Sequence, residues 1–192
     1  MNRSVSATDD LGRFAGHIVL LSGHPGSGKT TSAEALAHRS GVPKVHLHSD
    51  DFWGYIKHGK IDPWLPKSDA QNRMIMQIAA DVAGSYARHG YFVVLDGVVR
   101  PWWLPAFEAL DTPIHYIVLR TTVAEAVARC AARGGDSLSD PLVVADLHGQ
   151  FADLGPYEPH VLDVSGRDPV STQNAIVAAL LGDRYRLRGS EQ

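Results

Sequence analysis

The sequence of 192 residues is poor in cysteine and shows no cysteine-based site. Cys130 is the only cysteine, so an internal disulfide is excluded, and the histidines do not follow a Cys/His zinc pattern. A lone thiol suits a reducing compartment, and we therefore expect a cytoplasmic protein.

Long apolar runs and basic runs are also missing. No stretch approaches the ~20 apolar residues of a membrane-spanning helix, and residues 1–10 lack the apolar core of a signal peptide. The formal net charge is -3, and Lys and Arg occur singly, which disfavours a nucleic-acid backbone as the partner. We therefore expect a small-molecule partner, with no nucleic acid and no membrane. A hydrophobic content of 44% over this length suits one globular domain.

The strongest motif is a glycine-rich segment that matches the pattern G-x-x-x-x-G-K-[ST] at every fixed position. It consists of Gly23, His24, Pro25, Gly26, Ser27, Gly28, Lys29 and Thr30. Backbone N–H groups of such a loop surround the phosphates of a nucleotide, while the lysine contacts the β- and γ-phosphates and the threonine hydroxyl binds Mg²⁺. An apolar strand at 18–21 precedes the loop, and a helix that starts with Thr31 follows it, as the motif requires.

Acidic residues follow two further predicted strands, at 45–48 and 91–95. Asp50 and Asp51 come after the first of them, and Asp96 ends the second. Because the carboxyl ends of parallel strands meet at one sheet edge, we expect these acids beside the phosphate loop. One acid of the pair would accept a hydroxyl proton and the other would support the metal, with Asp96 as a further, Walker-B-like acid at the metal. The alternatives are that Ser49, Asp50 or Asp51 caps a helix and that Asp96 only starts a turn.

Residues 52–69 form a polar segment that is broken by prolines and resembles a mobile insert facing the substrate. Trp53 and Lys57 in this insert, Asp51 before it and Arg100 after Asp96 are the candidates for contacts with the substrate. A solvated loop would show the same charge pattern. Trp102 and Trp103, which follow Arg100, are interpreted as packing residues and not as a stacking platform.

A later helix, predicted to begin at a capping box and to end near residue 133, carries Arg129 and Arg133 on one face. Glycines follow it directly, and a short helix is predicted over 141–147. This arrangement indicates a lid over about 134–147 with two arginines at its base, although a solvated basic face is the alternative.

The phosphate loop, the acid pair and the segment Asp-Gly-Val-Val-Arg at 96–100 together resemble the small P-loop kinases. That group includes gluconate, shikimate, nucleoside and antibiotic kinases and adenylate kinase. The 96–100 segment is similar to the D-G-x-x-R segment of nucleoside monophosphate kinases, and 129–155 is similar to the lid and following helix of gluconate kinases. Two details differ: Asp50-Asp51-Phe52 is closer to nicotinamide riboside kinases than to gluconate kinases, and Val99 replaces the proline of adenylate kinases.

The resemblance implies a three-layer α/β P-loop NTPase fold, with a five-stranded parallel sheet of order 2-3-1-4-5, helices on both faces and a small lid. The kinase-like domain would span 17–182, between a loose N-terminal tail at 1–16 and a C-terminal tail at 183–192. The alternative for the first tail is that Leu11 and Phe14 pack against the sheet.

The resemblance also implies a kinase that uses ATP and Mg²⁺ to phosphorylate a hydroxyl of a polar metabolite or antibiotic. Lys29, Asp50 and Arg133 would be catalytic, with Asp50 as the proton acceptor and Arg129 beside the nucleotide. A nucleoside monophosphate kinase and a nucleotide-binding regulator with slow hydrolysis remain alternatives. The acceptor, the preference for ATP over GTP, and the choice between monomer and homodimer stay open.

Overall fold

The computed structural model describes residues 11–133 and 140–187, and a five-stranded parallel sheet forms its centre. The strands are Ile18–Gly23 (β1), Lys44–His48 (β2), Phe92–Asp96 (β3), Ile114–Arg120 (β4) and Val161–Asp163 (β5). Their order is β2-β3-β1-β4-β5, and every neighbouring pair is parallel. The predicted sheet and its strand order are confirmed.

Helices connect the strands and cover both faces of the sheet, as right-handed parallel connections require. The helices are Lys29–Ala37 (α1), Ser49–Gly54 (α2), Asp69–Arg88 (α3), Pro105–Glu108 (α4), Val123–Arg133 (α5), Pro141–Gly149 (α6) and Pro169–Leu181 (α7). No helix among the described residues combines the length and hydrophobicity needed to cross a membrane.

Two hydrophobic clusters lie on opposite faces of the sheet. One joins alternate residues of β1, β3 and β4 to α3, and the other joins the remaining residues of these strands to α1 and α7. Since both faces are covered, the central strands are continuous apolar runs, which is why the sequence showed them clearly.

Both ends of the domain extend further than predicted. Leu11–Phe14 forms a 3-10 turn, in which side chains three residues apart lie on the same side, and Leu11 and Phe14 are buried in the core. At the other end Arg186 pairs with His115 of β4, and the buried Tyr185 accepts a backbone hydrogen bond from Tyr116. The predictions of a loose tail at 1–16 and of a tail beginning at 183 are therefore wrong for these residues, and the alternative that Leu11 and Phe14 pack against the sheet is confirmed. Residues 1–10 and 188–192 lie outside the described part.

The segment predicted as a mobile insert is fastened to α3 by side-chain hydrogen bonds. Gln71 bonds both the N–H and the carbonyl of Ile61, and Asn72 donates to the carbonyl of Pro63 at 2.8 Å. The first residues of the predicted insert belong to α2, which begins directly where β2 ends. The segment is therefore held by α2 at its start and by α3 towards its end, which its polar composition did not indicate.

A close approach between α2 and the end of β3 depends on Gly97. A Cβ atom at this position would lie 1.8 Å from Ser49 Oγ and 2.7 Å from Ser49 Cβ. Ser49 is the first residue of α2 and is buried. The absence of a side chain at Gly97 therefore sets the distance between α2, which carries the acid pair, and the strand that carries Asp96.

We predict that Gly97→Ala lowers the free energy of unfolding by about 1–3 kcal/mol, because the new methyl group forces α2 away from β3. Gly54→Ala, at the far end of α2, is the matched control: its Cβ would meet open space, and alanine favours a helix by up to about 1 kcal/mol. Urea unfolding of both variants measures the difference. Equal stabilities would contradict the role given to Gly97.

Candidate functional site

The glycine-rich loop connects the end of β1 to the start of α1. Gly26 has a φ of 78° and lies so close to α5 that a Cβ would be 2.5 Å from the carbonyl oxygen of Ala126. Gly28, with a φ of 89°, holds the N-cap position of α1. The loop thus turns into the helix in conformations that glycine tolerates, and it leaves the N-terminal N–H groups of α1 available to an anion.

Lys29, the first residue of α1, is only 8% exposed, although it is a lysine. Its Nζ lies 3.5 Å from the carbonyl oxygen of His24. Burial lowers the pKa of Lys29, while the charges of Asp50 and Asp96 oppose this change. Ser27 Oγ is buried and finds no hydrogen-bond partner among the described residues. A buried cation and an unpaired hydroxyl in one loop fit an anionic ligand.

Asp96 ends β3 and is completely buried. Thr30 Oγ1 donates a hydrogen bond to Asp96 Oδ2 at 2.6 Å, and this bond connects the phosphate loop to β3, which lies beside β1 in the sheet. On the other side, His46 Nε2 and His48 Nδ1 lie 2.7 and 3.0 Å from Asp96 Oδ1. Burial raises the pKa of Asp96, but these hydrogen bonds outweigh it, so the pKa lies well below its usual value.

The two histidines were not predicted as site residues. Both lie on β2, two residues apart, so they project from the same face of the strand. His46 Nδ1 also lies 2.8 Å from Glu34 of α1, so its ring is held between two carboxylates. The hydrogen bond to Asp96 is the main cause of the raised pKa of each histidine. The His-x-His pattern before the acid pair was the available signal.

The acid pair lies in the first turn of α2, where the positive end of the helix dipole stabilises carboxylates. His48 holds the N-cap position and its side chain makes no capping hydrogen bond, so the alternative that Ser49, Asp50 or Asp51 is the N-cap of this helix is wrong. Asp50 Oδ2 lies 3.6 Å from His48 Nε2, and its side chain is 65% exposed. Asp50 thus lies near both Lys29 and the residues around Asp96, with its carboxylate open to a ligand.

The residues at this edge fit a Mg²⁺ ion bound together with a nucleotide. Mg²⁺ prefers oxygen ligands and commonly takes one or two from the protein and the others from substrate phosphates and water. The Thr30 hydroxyl and the Asp96 carboxylate supply such oxygens 2.6 Å apart. Within residues 11–133 and 140–187, no three His, Cys, Asp or Glu side chains form a metal-binding group of their own.

A cavity of about 290 Å³ opens beside the phosphate loop, between α1, α5 and the start of α7. It is lined by Gly26, Ser27, Gly28, Thr31, Ser32, Arg129, Arg133, Arg167, Pro169 and Thr172. Arg129 reaches across it, with guanidinium nitrogens 3.5 Å from the carbonyl oxygens of Gly26 and Arg167. The structure therefore brings the two predicted arginines to the phosphate loop. The contribution of Arg167 was missed because it lies in a loop without a motif.

Part of the predicted lid is described. Residues 141–147 belong to α6, which packs on α5 through Val144, Ala126 and Cys130. Residues 134–139 lie outside the described part.

The guanidinium carbon of Arg100 lies 5.4 Å from the ring centroids of both Trp102 and Trp103, whose rings are in edge contact with each other. Arg100 also donates a hydrogen bond to Gln150. Burial lowers the pKa of Arg100. The carbonyl of Val99 before it accepts hydrogen bonds from Ser22 Oγ and the Tyr116 hydroxyl, both at 2.7 Å. The backbone that leads from Asp96 to Arg100 is therefore held firmly.

Two predicted substrate residues make other contacts. Trp53 is buried in the core, where its indole N–H donates to Asn72 Oδ1 at 3.0 Å, so the prediction of a substrate contact for Trp53 is wrong. Trp53 lies near the end of the short helix α2, and its ring packs into the core because α3 covers it. Lys57 Nζ donates to the carbonyl oxygen of Gly54 at the end of α2.

A family model described as AAA domain matches residues 18–152. No curated protein shows significant sequence similarity to the chain. A gluconokinase from Sinorhizobium meliloti is 15% identical, with a TM-score of 0.67, and the match covers 86% of this chain and 92% of that one. A sugar kinase from Janibacter is 16% identical, with a TM-score of 0.65, and the match covers 85% and 93%.

A tunicamycin resistance protein from Deinococcus radiodurans is also similar, with 16% identity, a TM-score of 0.64, and coverage of 86% and 95%. At these identities the similarity establishes the fold, and the predicted resemblance to small P-loop kinases is confirmed at that level.

We predict that His46→Ala destabilises the protein by about 1–3 kcal/mol, because it leaves the buried carboxylate of Asp96 with one hydrogen bond fewer. His38→Ala is a matched control, since His38 is exposed and contacts the same Glu34, so its effect should stay within about 0.5 kcal/mol. Urea unfolding compares the two. Equal free energies of unfolding in the two variants would contradict the conclusion that hydrogen bonds compensate for the burial of the Asp96 carboxylate.

Proposed function

Since the chain belongs to the AAA domain family, we propose that it is an ATP- and Mg²⁺-dependent kinase that phosphorylates a hydroxyl of a polar small molecule. One observation carries the proposal. Lys29, the Thr30–Asp96 pair and the open carboxylate of Asp50 meet at one edge of the sheet. Phosphoryl transfer needs an anion site, a metal site and a group beside the attacking hydroxyl, and this edge offers all three.

The phosphate loop and the arginines bind and neutralise the phosphates. Backbone N–H groups of 23–30 and the buried ammonium group of Lys29 hold the β- and γ-phosphates in place. Arg129 and Arg133 line the cavity on the outer side of the loop, where they stabilise negative charge on the nucleotide. The cavity itself receives the remainder of the nucleotide.

Thr30 and Asp96 hold the metal. When bound, Mg²⁺ neutralises charge on the β- and γ-phosphates and orients them for transfer. Asp96 stays ionised for this purpose, because Thr30, His46 and His48 all bond its carboxylate.

Asp50 accepts the proton of the acceptor hydroxyl. The hydroxyl oxygen forms a bond to the γ-phosphorus while the bond to the oxygen that bridges to the β-phosphate breaks, and ADP leaves. Asp50 suits this step because its carboxylate is exposed and faces the Lys29 side of the site. Asp51, one position further along the helix, points in a different direction.

The acceptor is a polar molecule with several hydroxyl groups or a negative charge. Arg100 and Lys57 are the cations that border the expected acceptor side. The solved structures with this fold that are called gluconokinase, sugar kinase and tunicamycin resistance protein support sugar acids, sugars and nucleoside-like antibiotics as the first compounds to test.

One observation favours a second candidate, a nucleoside monophosphate kinase. Arg100 follows Asp96 by four residues on a firmly held backbone, and in this candidate its guanidinium would bind the acceptor phosphate. Such an acceptor needs no base, so this candidate makes Asp50 dispensable.

The proposal is tested by measuring ADP release with a panel of sugar acids, sugars, nucleosides, nucleoside monophosphates and hydroxylated antibiotics. We expect ADP only when a hydroxyl acceptor is present, and a loss of at least about 10²-fold in Lys29→Ala, which removes a charge-assisted phosphate contact. Circular dichroism checks that the variant is folded. Slow ATP hydrolysis that no acceptor accelerates would favour a regulator and overturn the kinase proposal.

The acid pair separates the two kinase candidates. We predict that Asp50→Asn lowers kcat by about 10²- to 10⁴-fold while nucleotide affinity stays normal, because it removes the proton acceptor. Asp51→Asn, the neighbouring and equally conservative change, should change kcat by less than about threefold. Loss of kcat in Asp51→Asn alone would reverse the assignment, and unchanged kcat in both would favour an acceptor phosphate.

A further inference from the structure

The residue that follows β4 is held by a histidine on each side. The backbone N–H of Thr121 donates to His24 Nε2 at 3.1 Å, and the carbonyl oxygen of Thr121 accepts a hydrogen bond from His148 Nε2 at 2.8 Å. The rings of His24 and His148 are 4.3 Å apart. His24, the second residue of the phosphate loop, and His148, near the end of α6, are therefore hydrogen-bonded to the same residue.

His24 is an internal part of the phosphate loop. It is completely buried, and burial lowers its pKa to about 4, so the ring is neutral at physiological pH. Its Nδ1–H donates to the carbonyl oxygen of Pro25 at 2.7 Å, which leaves Nε2 as the acceptor for Thr121. If the backbone of the loop moves at Pro25, the His24 ring that is hydrogen-bonded to it has to move as well. The rings of His148 and Phe151, which contact His24, then have to adjust.

Gln150, two residues after His148, connects the same segment to Arg100. Its side-chain oxygen accepts a hydrogen bond from Arg100, and its amide nitrogen donates to Asp146 Oδ2 at 3.2 Å. Phe151 then enters the core, with its ring 6.4 Å from that of His24. An amide side chain suits this position because it offers an acceptor to Arg100 and a donor to Asp146 at the same time.

We propose that residues 148–151 form a coupling segment, in which His148 and Gln150 are positioning residues that link the conformation of the phosphate loop to the orientation of Arg100. His148 is connected to the phosphate loop through Thr121 and His24, and Gln150 accepts the hydrogen bond that holds the guanidinium of Arg100. Nucleotide binding at the loop then reorients Arg100 before the acceptor arrives. The proposal rests on the proposed function in one respect: a nucleotide must bind at the loop.

The structure contains a natural reporter for this coupling. The guanidinium of Arg100 lies over the ring of Trp102, which is 62% exposed, so a movement of Arg100 changes the surroundings of that indole. Trp64, which is 71% exposed and lies in the insert, serves as an internal control. The chain has four tryptophans, so 5-fluorotryptophan labelling gives a small set of ¹⁹F signals that single Trp→Phe changes assign.

The experiment titrates the labelled full chain with Mg²⁺ and the non-hydrolysable ATP analogue AMP-PNP, and it measures affinity by calorimetry on the same samples. We expect the Trp102 signal to shift on binding while the Trp64 signal stays in place. Gln150→Ala should reduce the Trp102 shift by at least half and leave affinity within about twofold, since Gln150 does not touch the loop.

His148 is tested by two variants. His148→Ala should reduce the Trp102 shift and weaken nucleotide binding by about 3- to 10-fold, the value of one hydrogen bond. His148→Phe keeps a ring against His24 without the N–H, and it provides the test if the alanine variant does not fold. Gln77→Ala, on α3, and His89→Ala, at the C-cap of α3, are matched controls in which the shift should equal that of the wild type.

The outcomes separate the coupling from the proposed function. An unchanged Trp102 shift in Gln150→Ala and the His148 variants, or nucleotide binding without any Trp102 shift in the wild type, would overturn the coupling alone. If the wild type does not bind the nucleotide, both the coupling and the kinase proposal fail.

Discussion

The arrangement of the site depends on one buried carboxylate, that of Asp96, at the edge of a parallel sheet. A buried charge is costly unless it is paired, and here three side chains from two other elements bond it: Thr30 from α1, and His46 and His48 from β2. These bonds connect the phosphate loop and β2 to β3, and the acid pair follows β2 directly in α2. The electrostatic requirement of one residue therefore aligns the groups to which the proposed function gives a role in phosphoryl transfer.

The sequence was sufficient to predict the sheet and the phosphate loop because both depend on local patterns. Residues 18–21 and 91–95 are continuous apolar runs, which a parallel sheet covered on both faces produces. The loop is a motif of eight consecutive residues, and its glycines adopt the left-handed conformations that the motif implies. The strand order came from the resemblance to small P-loop kinases, and the structure agrees with it.

The remaining features depend on contacts between residues far apart in the chain, which no local pattern reports. His46 and Asp96 are fifty residues apart, and their contact exists only because β2 pairs with β3. Trp53 looked like a surface aromatic in a polar segment, yet α3 buries it. Leu11–Phe14 was predicted as part of a tail, with packing of Leu11 and Phe14 as the alternative, because four residues are too few to show a period. In the structure Phe14 is buried and stacks on Phe92.

The most direct test of the role given to Asp96 is the Mg²⁺ dependence of ATP binding, measured by calorimetry for the wild type and for Asp96→Asn. If Asp96 and Thr30 hold the metal that accompanies the nucleotide, Mg²⁺ should tighten ATP binding to the wild type by about 10-fold or more, as charge-assisted contacts do. Asp96→Asn should lose most of this gain while still binding metal-free ATP. Equal Mg²⁺ effects in both proteins, or none in the wild type, would contradict this account of the site.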